Sequence, residues 1–529
     1  SVNPSIQPRL LSAAAELSGP LMMLTAALDE NRDATIIVKT HPDRYTRRSK
    51  GYFSKAALAG IPGVMVIDEP CHPVRLLEHA ERVYCVTSQM GFEALLWGKP
   101  VRVFGMPFYA GWGLTADELP APRRRGIASL QQLVHAALVD YSRYVDPETG
   151  KLCEVERIID YFGQQRRMRE RFPAEITAVG ISRRKRPIVR QYLAGSNVRF
   201  ARSTRRAGAG STIAVWGSRS LGGASAVKVI RIEDGFLRSV GLGADLVKPL
   251  SWVCDDIGIY YDATRPSRLE HILQHTTFDT ALLDRAAALR QSIIEKKLSK
   301  YNVGAPGPGS SWSRPANGKR MILVPGQVED DASIRLGTVD IRSNITLLRA
   351  VRARNPEAHI IYKPHPDVVA GLRRRGASEE QAADCCDEIV TDVDIALLLG
   401  AVDEVHTMTS LTGFEALMRG VPVTCYGLPF YAGWGLTIDM HACERRGRRL
   451  TLDELVAGAL ILYPTYISQV TNRYTSPERV IEELVSWRSN GKQKSSPWRA
   501  VLRLYDRSRQ VLRRFRNSRP AASTAELHD

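Results

Sequence analysis

Through the second half of the chain, short apolar runs alternate with longer helical stretches. Thr212–Trp216, Val227–Ile232, Met321–Val324, His359–Tyr362, Glu404–Thr407 and Val421–Tyr426 are rich in Val, Ile and Tyr, and each has the length of one buried strand. Between them lie stretches such as Asn344–Arg354 and Gly413–Arg419, which read as helices. Strand–helix alternation of this kind predicts an α/β fold of parallel sheets with helices on both faces. Residues 302–318, with Pro306, Gly307, Pro308, Gly309 and Ser310-Ser311, read as a linker between two such layers. The expected architecture is two Rossmann-like domains joined by a hinge. Ligands should then bind in the cleft, beyond the carboxyl ends of the strands.

Part of this pattern occurs twice. Thr87-Ser88-Gln89-Met90-Gly91-Phe92-Glu93-Ala94-Leu95 recurs as Thr409-Ser410-Leu411-Thr412-Gly413-Phe414-Glu415-Ala416-Leu417, and Pro107 to Thr115 recurs unchanged as Pro429 to Thr437. Upstream, Lys39-Thr40-His41-Pro42-Asp43 recurs as Lys363-Pro364-His365-Pro366-Asp367. The period, 322 residues between Ser88 and Ser410, is far too long for a solenoid and implies a duplicated domain. Ser1-Val2 aligns with Ser333-Ile334, so the first copy has no counterpart of residues 213–332. The chain also starts without methionine. Both features read as a fragment that enters its first module partway through.

Composition narrows the class. The 529 residues are 44% hydrophobic and 24% charged, enough apolar material for several cores. A net charge of +17 points to a polyanionic partner: nucleic acid, an anionic membrane surface, or phosphate-bearing substrates. No helix-turn-helix, RRM or zinc signature is present, which argues against nucleic acid. The eight cysteines form no C-x-x-C pair, and several sit in apolar runs, as expected of small buried hydrophobes in a reducing compartment. The sequence shows no 18-residue apolar run and no signal peptide.

The candidate chemistry lies at strand ends. Lys363 and His365 follow the predicted strand His359–Tyr362, and the flanking prolines fix where the imidazole points. Together the two side chains would neutralise a leaving phosphate. Thr409 and Ser410 open a helix whose free N–H groups suit a phosphate, and Glu415 in its first turns could accept hydrogen bonds from ribose hydroxyls. The bland alternative is an ordinary N-cap with a helix-dipole carboxylate. Acidic residues cluster in Glu329-Asp330-Asp331 and in Glu233-Asp234, and carboxylates facing each other across a cleft suit glycosyl transfer with retention. Asp255-Asp256 through Asp262 is a third acidic group, either structural or acceptor- or metal-related. No D-x-D motif typical of metal-dependent sugar transferases is evident. The loop Pro429–Thr437 reads either as a stacking platform over the site or as a packed corner.

Glu233-Asp234-Gly235-Phe236-Leu237-Arg238-Ser239, Asp255-Asp256 with Gly258-Ile259-Tyr260-Tyr261-Asp262, Gln327–Ser333, His365-Pro366 and the block Ser410, Glu415, Gly433-Trp434-Gly435 resemble the bacterial capsule β-Kdo transferases of the KpsC/LipA type. The resemblance covers most of the chain. It implies tandem GT-B-like modules, here with the first incomplete, that use CMP-Kdo as donor and require no cofactor. The implied acceptor is a Kdo-terminated phosphatidylglycerol lipid at the cytoplasmic face of the inner membrane, alongside capsule assembly proteins.

By the same resemblance Asp331 is the catalytic nucleophile, Glu233 the acid/base, and Lys363 and His365 lie near the donor phosphate. Ser410 and Glu415 hold the CMP phosphate and ribose, and His41, Ser88 and Glu93 are the first module's counterparts. The implied layout is a partial donor-nucleotide-binding module at 1–150, a helical basic linker at 151–211, and an acceptor-side domain at 212–318. A catalytic and CMP-binding domain follows at 319–485, then a basic tail at 486–529. From their own pattern of apolar and Arg residues, 496–519 read either as an amphipathic helix lying on a membrane or as a solvated basic tail. The rival readings are a transferase for another nucleotide sugar, such as a UDP sugar, and a non-catalytic scaffold in capsule assembly or export.

Overall fold

The structure, a computed structural model, describes residues 18–40, 58, 60–69, 71–204, 211–219, 221, 228–241, 247–300, 302, 312–316 and 318–489. The chain forms two compact units, residues 1–158 and 159–529.

The larger unit contains two sheets. One is entirely parallel, in the order Glu388–Ile389, His359–Lys363, Met321–Pro325, Glu404–Thr407, Val423–Cys425, Ile438–Asp439. Its central strand Met321–Pro325 is buried at all five positions, as expected of a parallel strand covered on both faces. The other sheet has seven strands, in the order Tyr474–Thr475, Pro464–Ile467, Ser251–Asp255, Lys228–Asp234, Thr212–Trp216, Glu175–Val179, Asn197–Ala201. The last four are parallel and the first three are added antiparallel.

This sheet corrects two expected boundaries. Residues 151–211 are not a linker, because Glu175–Val179 and Asn197–Ala201 are strands of the seven-stranded sheet. Their Arg-rich flanks mask a buried alternation centred on Ile176, Ala178 and Val198. Nor does the second lobe keep everything to residue 485: Pro464–Ile467 and Tyr474–Thr475 cross back to the seven-stranded sheet, and the helix Pro477–Ser489 follows them. The expected linker 302–318 falls largely outside the described residues. So does the amphipathic segment 496–519.

An apolar core joins the two lobes on one side of the cleft. Phe236, Leu250, Leu289 and Leu298 of the first lobe pack with Phe414, Phe430 and Tyr463 of the second. The Phe236 and Phe430 rings stack with centroids 4.7 Å apart.

The repeated loop Pro429–Thr437 is a packed corner within this core. Tyr431 and Trp434 are fully buried, the Trp434 indole N–H donates to the Phe430 carbonyl at 2.8 Å, and Arg446 donates to the Pro429 and Ala432 carbonyls. Gly433, at φ 82°, donates its N–H to Asp439. The first copy repeats the bonds: Trp112 donates to Phe108, Gly111 to Asp117, and Arg125 to Pro107 and Ala110.

The smaller unit contains the same strands without the middle one. Ile36–Lys39 pairs with Val64–Ile67, and Val83–Cys85, Val101–Val103 and Ala116–Asp117 form a separate parallel sheet in that order. No strand among the described residues stands between the two pieces where Met321–Pro325 stands in the larger unit. The hairpin Tyr144–Val145/Leu152–Cys153 matches Tyr466–Ile467/Tyr474–Thr475 in register. The other edge of Pro464–Ile467 pairs with Ser251–Val253, whereas among the described residues nothing pairs with that edge of Tyr144–Val145.

Accordingly, Tyr141 is 87% exposed where its counterpart Tyr463 is fully buried, and Leu152 is 74% exposed where Tyr474 is 2%. Leu96 and Phe108 are exposed, while Met418 and Phe430 are buried.

Candidate functional site

The site is assembled from the ends of strands in both lobes of the larger unit. Strand Met321–Pro325 delivers the turn Gln327–Asp331. Gln327 reaches across to the next strand end: its Nε2–H donates to Thr409 Oγ1 at 2.9 Å, and its Oε1 accepts the Thr409 N–H at 2.9 Å. The turn that carries Asp331 is thereby tied to the turn that carries Ser410. Of the three adjacent acids, Glu329 is structural, since its oxygens accept the N–H groups of Asn344 and Ala377. Asp330 is largely exposed.

Asp331 caps the helix Ala332–Gly337 and accepts from Ser333 Oγ at 2.8 Å. Its other oxygen faces the Arg373 guanidinium at 3.2 Å, and its side chain is half-exposed at 49%. From the first lobe, the loop around Tyr261 docks on the same helix, with Ala263 N–H donating to the Leu336 carbonyl at 3.1 Å. The Asp331 charge acts on both Tyr261 and His365.

Glu233 approaches from the strand Lys228–Asp234. It acts on the same Tyr261, and both side chains crowd the turn at Gly217 (φ 61°), where an added Cβ would lie 2.9 Å from the Tyr261 hydroxyl and 3.4 Å from Glu233 Oε2. Burial, reinforced by the neighbouring Asp234 charge, pushes the Glu233 carboxyl up to about 7. Asp234 itself is engaged by the buried Arg238 at 2.7 Å.

His365 caps the turn Pro366–Val369, and its Nδ1 accepts the Asp367 N–H at 3.1 Å. The ring proton is therefore assigned to Nε2. Burial lowers its pKa, so the imidazole is neutral at pH 7. It offers a hydrogen-bond donor rather than the positive charge expected from the sequence. Lys363 is turned elsewhere, with its ammonium on the Thr391 carbonyl at 3.1 Å and attracted by Asp394 and Asp392.

Ser410 caps the helix Leu411–Met418, with Oγ accepting the Thr412 N–H. Its carbonyl takes a bond from the Tyr431 hydroxyl at 2.5 Å, which presses on Gly413. Glu415 is buried, and burial raises its pKa; one oxygen accepts the Lys300 main-chain N–H at 2.9 Å. The Lys300 ammonium in turn acts on Glu233, Tyr260, His365 and Glu415, two side chains from each lobe. Sequence reasoning missed Lys300, which ends the unremarkable charged stretch Glu295–Lys300. It also missed Lys185, whose ammonium lies 3.0 Å from the Trp216 ring centroid and also acts on Glu233.

The third acidic group is structural. Asp255 accepts the N–H groups of Ile257, Gly258 and Arg268 and the Tyr463 hydroxyl, and Asp256 pairs with Arg268. Among the described residues no cluster of three His, Cys, Asp or Glu side chains has metal-site geometry. Ser88 and Glu93 belong to the smaller unit, where Ser88 caps its helix as Ser410 does. His41 lies outside the described residues. Also among these residues, no helix is long and apolar enough to cross a membrane.

A two-lobed α/β protein in which strand ends of both lobes carry interacting ionisable side chains is the class these features define. Within that class, residues 9–144 and 218–474 match the capsule polysaccharide biosynthesis protein family, and the chain belongs to it. The capsule polysaccharide modification protein LipA of Neisseria meningitidis serogroup B is 45% identical over 482 residues, 88% of this chain and 68% of LipA. The lipopolysaccharide-processing protein LpsZ of Rhizobium meliloti is 47% identical over 244 residues, 46% of this chain and 55% of LpsZ. Among solved structures, Thermosulfurimonas dismutans KpsC described as a β-Kdo 2,7 transferase is 39% identical with a TM-score of 0.50, covering 59% of this chain and 99% of its own. KpsC of the same organism described as a β-Kdo 2,4 transferase is 35% identical with a TM-score of 0.52, covering 60% and 99%.

Proposed function

We propose that the larger unit is a retaining β-Kdo transferase that moves Kdo from CMP-Kdo to a Kdo-primed phosphatidylglycerol lipid during capsule linker synthesis. It would work at the cytoplasmic face of the inner membrane beside the capsule assembly proteins. The observation that carries this reading is the pair of carboxylates, one from each lobe, that both act on Tyr261: Glu233, pushed up to about 7, and Asp331, paired with Arg373 at 3.2 Å. Similarity to the two KpsC structures supports the sugar and the GT-B-like architecture.

In the proposed route the CMP phosphate rests on the N-terminus of the Ser410 helix, with the Nε2–H of His365 donating to it. Asp331 attacks the anomeric carbon as the bond to the phosphate oxygen breaks, and that oxygen leaves with the electron pair. Glu233 then removes the proton from an acceptor hydroxyl, which displaces Asp331 from the same carbon. Two inversions give net retention. The two repeats are, on this reading, tandem modules, and only the second combines donor-site residues with Asp331 and an acceptor-side lobe.

The test is incubation with CMP-Kdo and a synthetic Kdo-terminated acceptor, followed by mass and NMR analysis of the product and its linkage. Asp331→Ala should abolish transfer. Transfer that persists in this variant refutes the assignment. Calorimetry with CMP and UDP separates this reading from a transferase for another nucleotide sugar.

A further inference from the structure

The loop that follows the turn Pro366–Val369 is pinned at both ends. The chain reverses at Gly371 (φ 69°), and the Leu372 and Arg373 N–H groups then both donate to the Asp367 carbonyl, at 2.9 and 3.0 Å. At the far end the Ala377 N–H donates to Glu329 Oε2 at 3.0 Å. Glu329 belongs to the turn Gln327–Asp331. The loop that starts at the His365 turn is thereby tied to the turn that carries the candidate nucleophile.

This tie brings the Arg373 side chain to Asp331. One guanidinium nitrogen, Nη2, donates to Asp331 Oδ1 at 3.2 Å and lies 3.6 Å from Asp330 Oδ1. Among the described residues Nε and Nη1 have no hydrogen-bond partner. The Arg373 side chain is 41% exposed, and an ion pair at that exposure contributes little to stability. Main-chain bonds therefore hold this residue, and most of a planar, five-donor cation stays open beside Asp331.

In Kdo the carboxylate is bonded directly to the anomeric carbon, one bond from the atom a nucleophile must reach. An ionised Asp331 approaching that carbon also approaches a second negative charge. A guanidinium already bonded to Asp331 can offset this repulsion and fix the sugar at the same time. The phosphate departs from the opposite face of the carbon, away from Asp331 and its partner. We propose that Arg373 receives the carboxylate of the transferred sugar, through the N–H groups that Asp331 does not use. The proposal rests on the reading of the site as one for CMP-Kdo. It adds the residue that selects a sugar with a carboxylate on its reacting carbon.

Asp331→Ala is the background for the test, because a full chain without the nucleophile should leave the donor intact during calorimetry. In that background Arg373→Met should weaken CMP-Kdo binding about tenfold or more, the weight of one charge-assisted hydrogen bond, and leave CMP binding unchanged. Arg373→Lys keeps the charge without the planar fork and should lose less. The bonds to the Asp367 carbonyl survive either substitution, so Tm should hold. If Arg373→Met lowers Tm, Arg373→Lys carries the same comparison of CMP-Kdo with CMP. With Asp331 intact, Arg373→Met should raise the donor KM and leave the acceptor KM unmoved.

Equal CMP-Kdo affinity with and without the guanidinium overturns the proposal and leaves Arg373 as a clamp that orients Asp331. Equal weakening of CMP and CMP-Kdo also overturns it, since the cation then serves the phosphate. In both cases the reading of the site stands if Asp331→Ala abolishes transfer. A wild-type chain that neither binds CMP nor transfers Kdo refutes that reading and this assignment with it.

Discussion

Glu233→Gln should remove activity and add stability, with both effects traceable to one buried carboxyl. Moving that carboxyl from an ordinary 4.5 to about 7 makes its ionisation in the folded chain harder by about 3 kcal/mol, at about 1.4 kcal/mol per pH unit. The residue keeps some solvent contact, so this is an upper bound. Between the two values the folded state binds more protons at this site than the unfolded state does. Stability contributed here is therefore full below pH 4.5 and falls as pH rises to about 7. Glutamine has no such dependence, and its side-chain oxygen can still accept the Asp234 N–H that Glu233 Oε1 accepts at 3.0 Å.

Between pH 5.5 and 8.5 the stability of Glu233→Gln relative to wild type should thus rise by about 2 kcal/mol. Denaturant unfolding across that range reads the difference directly. Transfer by wild type should climb with pH through about 7, as the base ionises, whereas the variant stays at background throughout. Parallel stability curves for the two proteins, or a glutamine variant that still transfers sugar, would refute the reasoning.

Two further predictions concern the scaffold. Gly413→Ala would place a Cβ 2.2 Å from the Tyr431 hydroxyl and displace its bond to Ser410, so unfolding free energy should drop by about 1–3 kcal/mol, measured in denaturant. Tyr463→Phe removes the buried bond to Asp255 at 2.8 Å and should destabilise by about 1–3 kcal/mol, whereas Tyr141→Phe at the matching exposed position should stay within about 0.5 kcal/mol.

Much of the scaffold was legible because it is written in strong local signals. The apolar runs at 212–216, 321–325 and 359–363 are buried strands, and the repeated Thr-Ser and Pro-Phe-Tyr blocks fold alike in both units. The strands at 175–179 and 197–201 were hidden because polar and basic flanks surround only three buried side chains in the first and one in the second. The return of residues 464–475 to the first sheet is a long-range pairing that no local pattern announces. Charge alone did not decide roles: of the readings open for Asp255 the structural one holds, as a hydrogen-bond hub, and the basic run at 445–449 is partly engaged by Glu270 and Glu454. Lys300 carried no motif, since its place among the site residues comes from a loop shape set by Arg488, Arg419 and Glu415.

The hairpin edge that nothing among the described residues pairs with, and the wet aromatic face of the smaller unit, have a practical consequence. Tyr463 is a keystone; its twin at 141 is a phenol in water, close to that edge. Handling this chain at high concentration therefore invites sticking at that face. Polar replacements at Tyr141 and Leu152 are the economical remedy, because neither side chain is holding anything together.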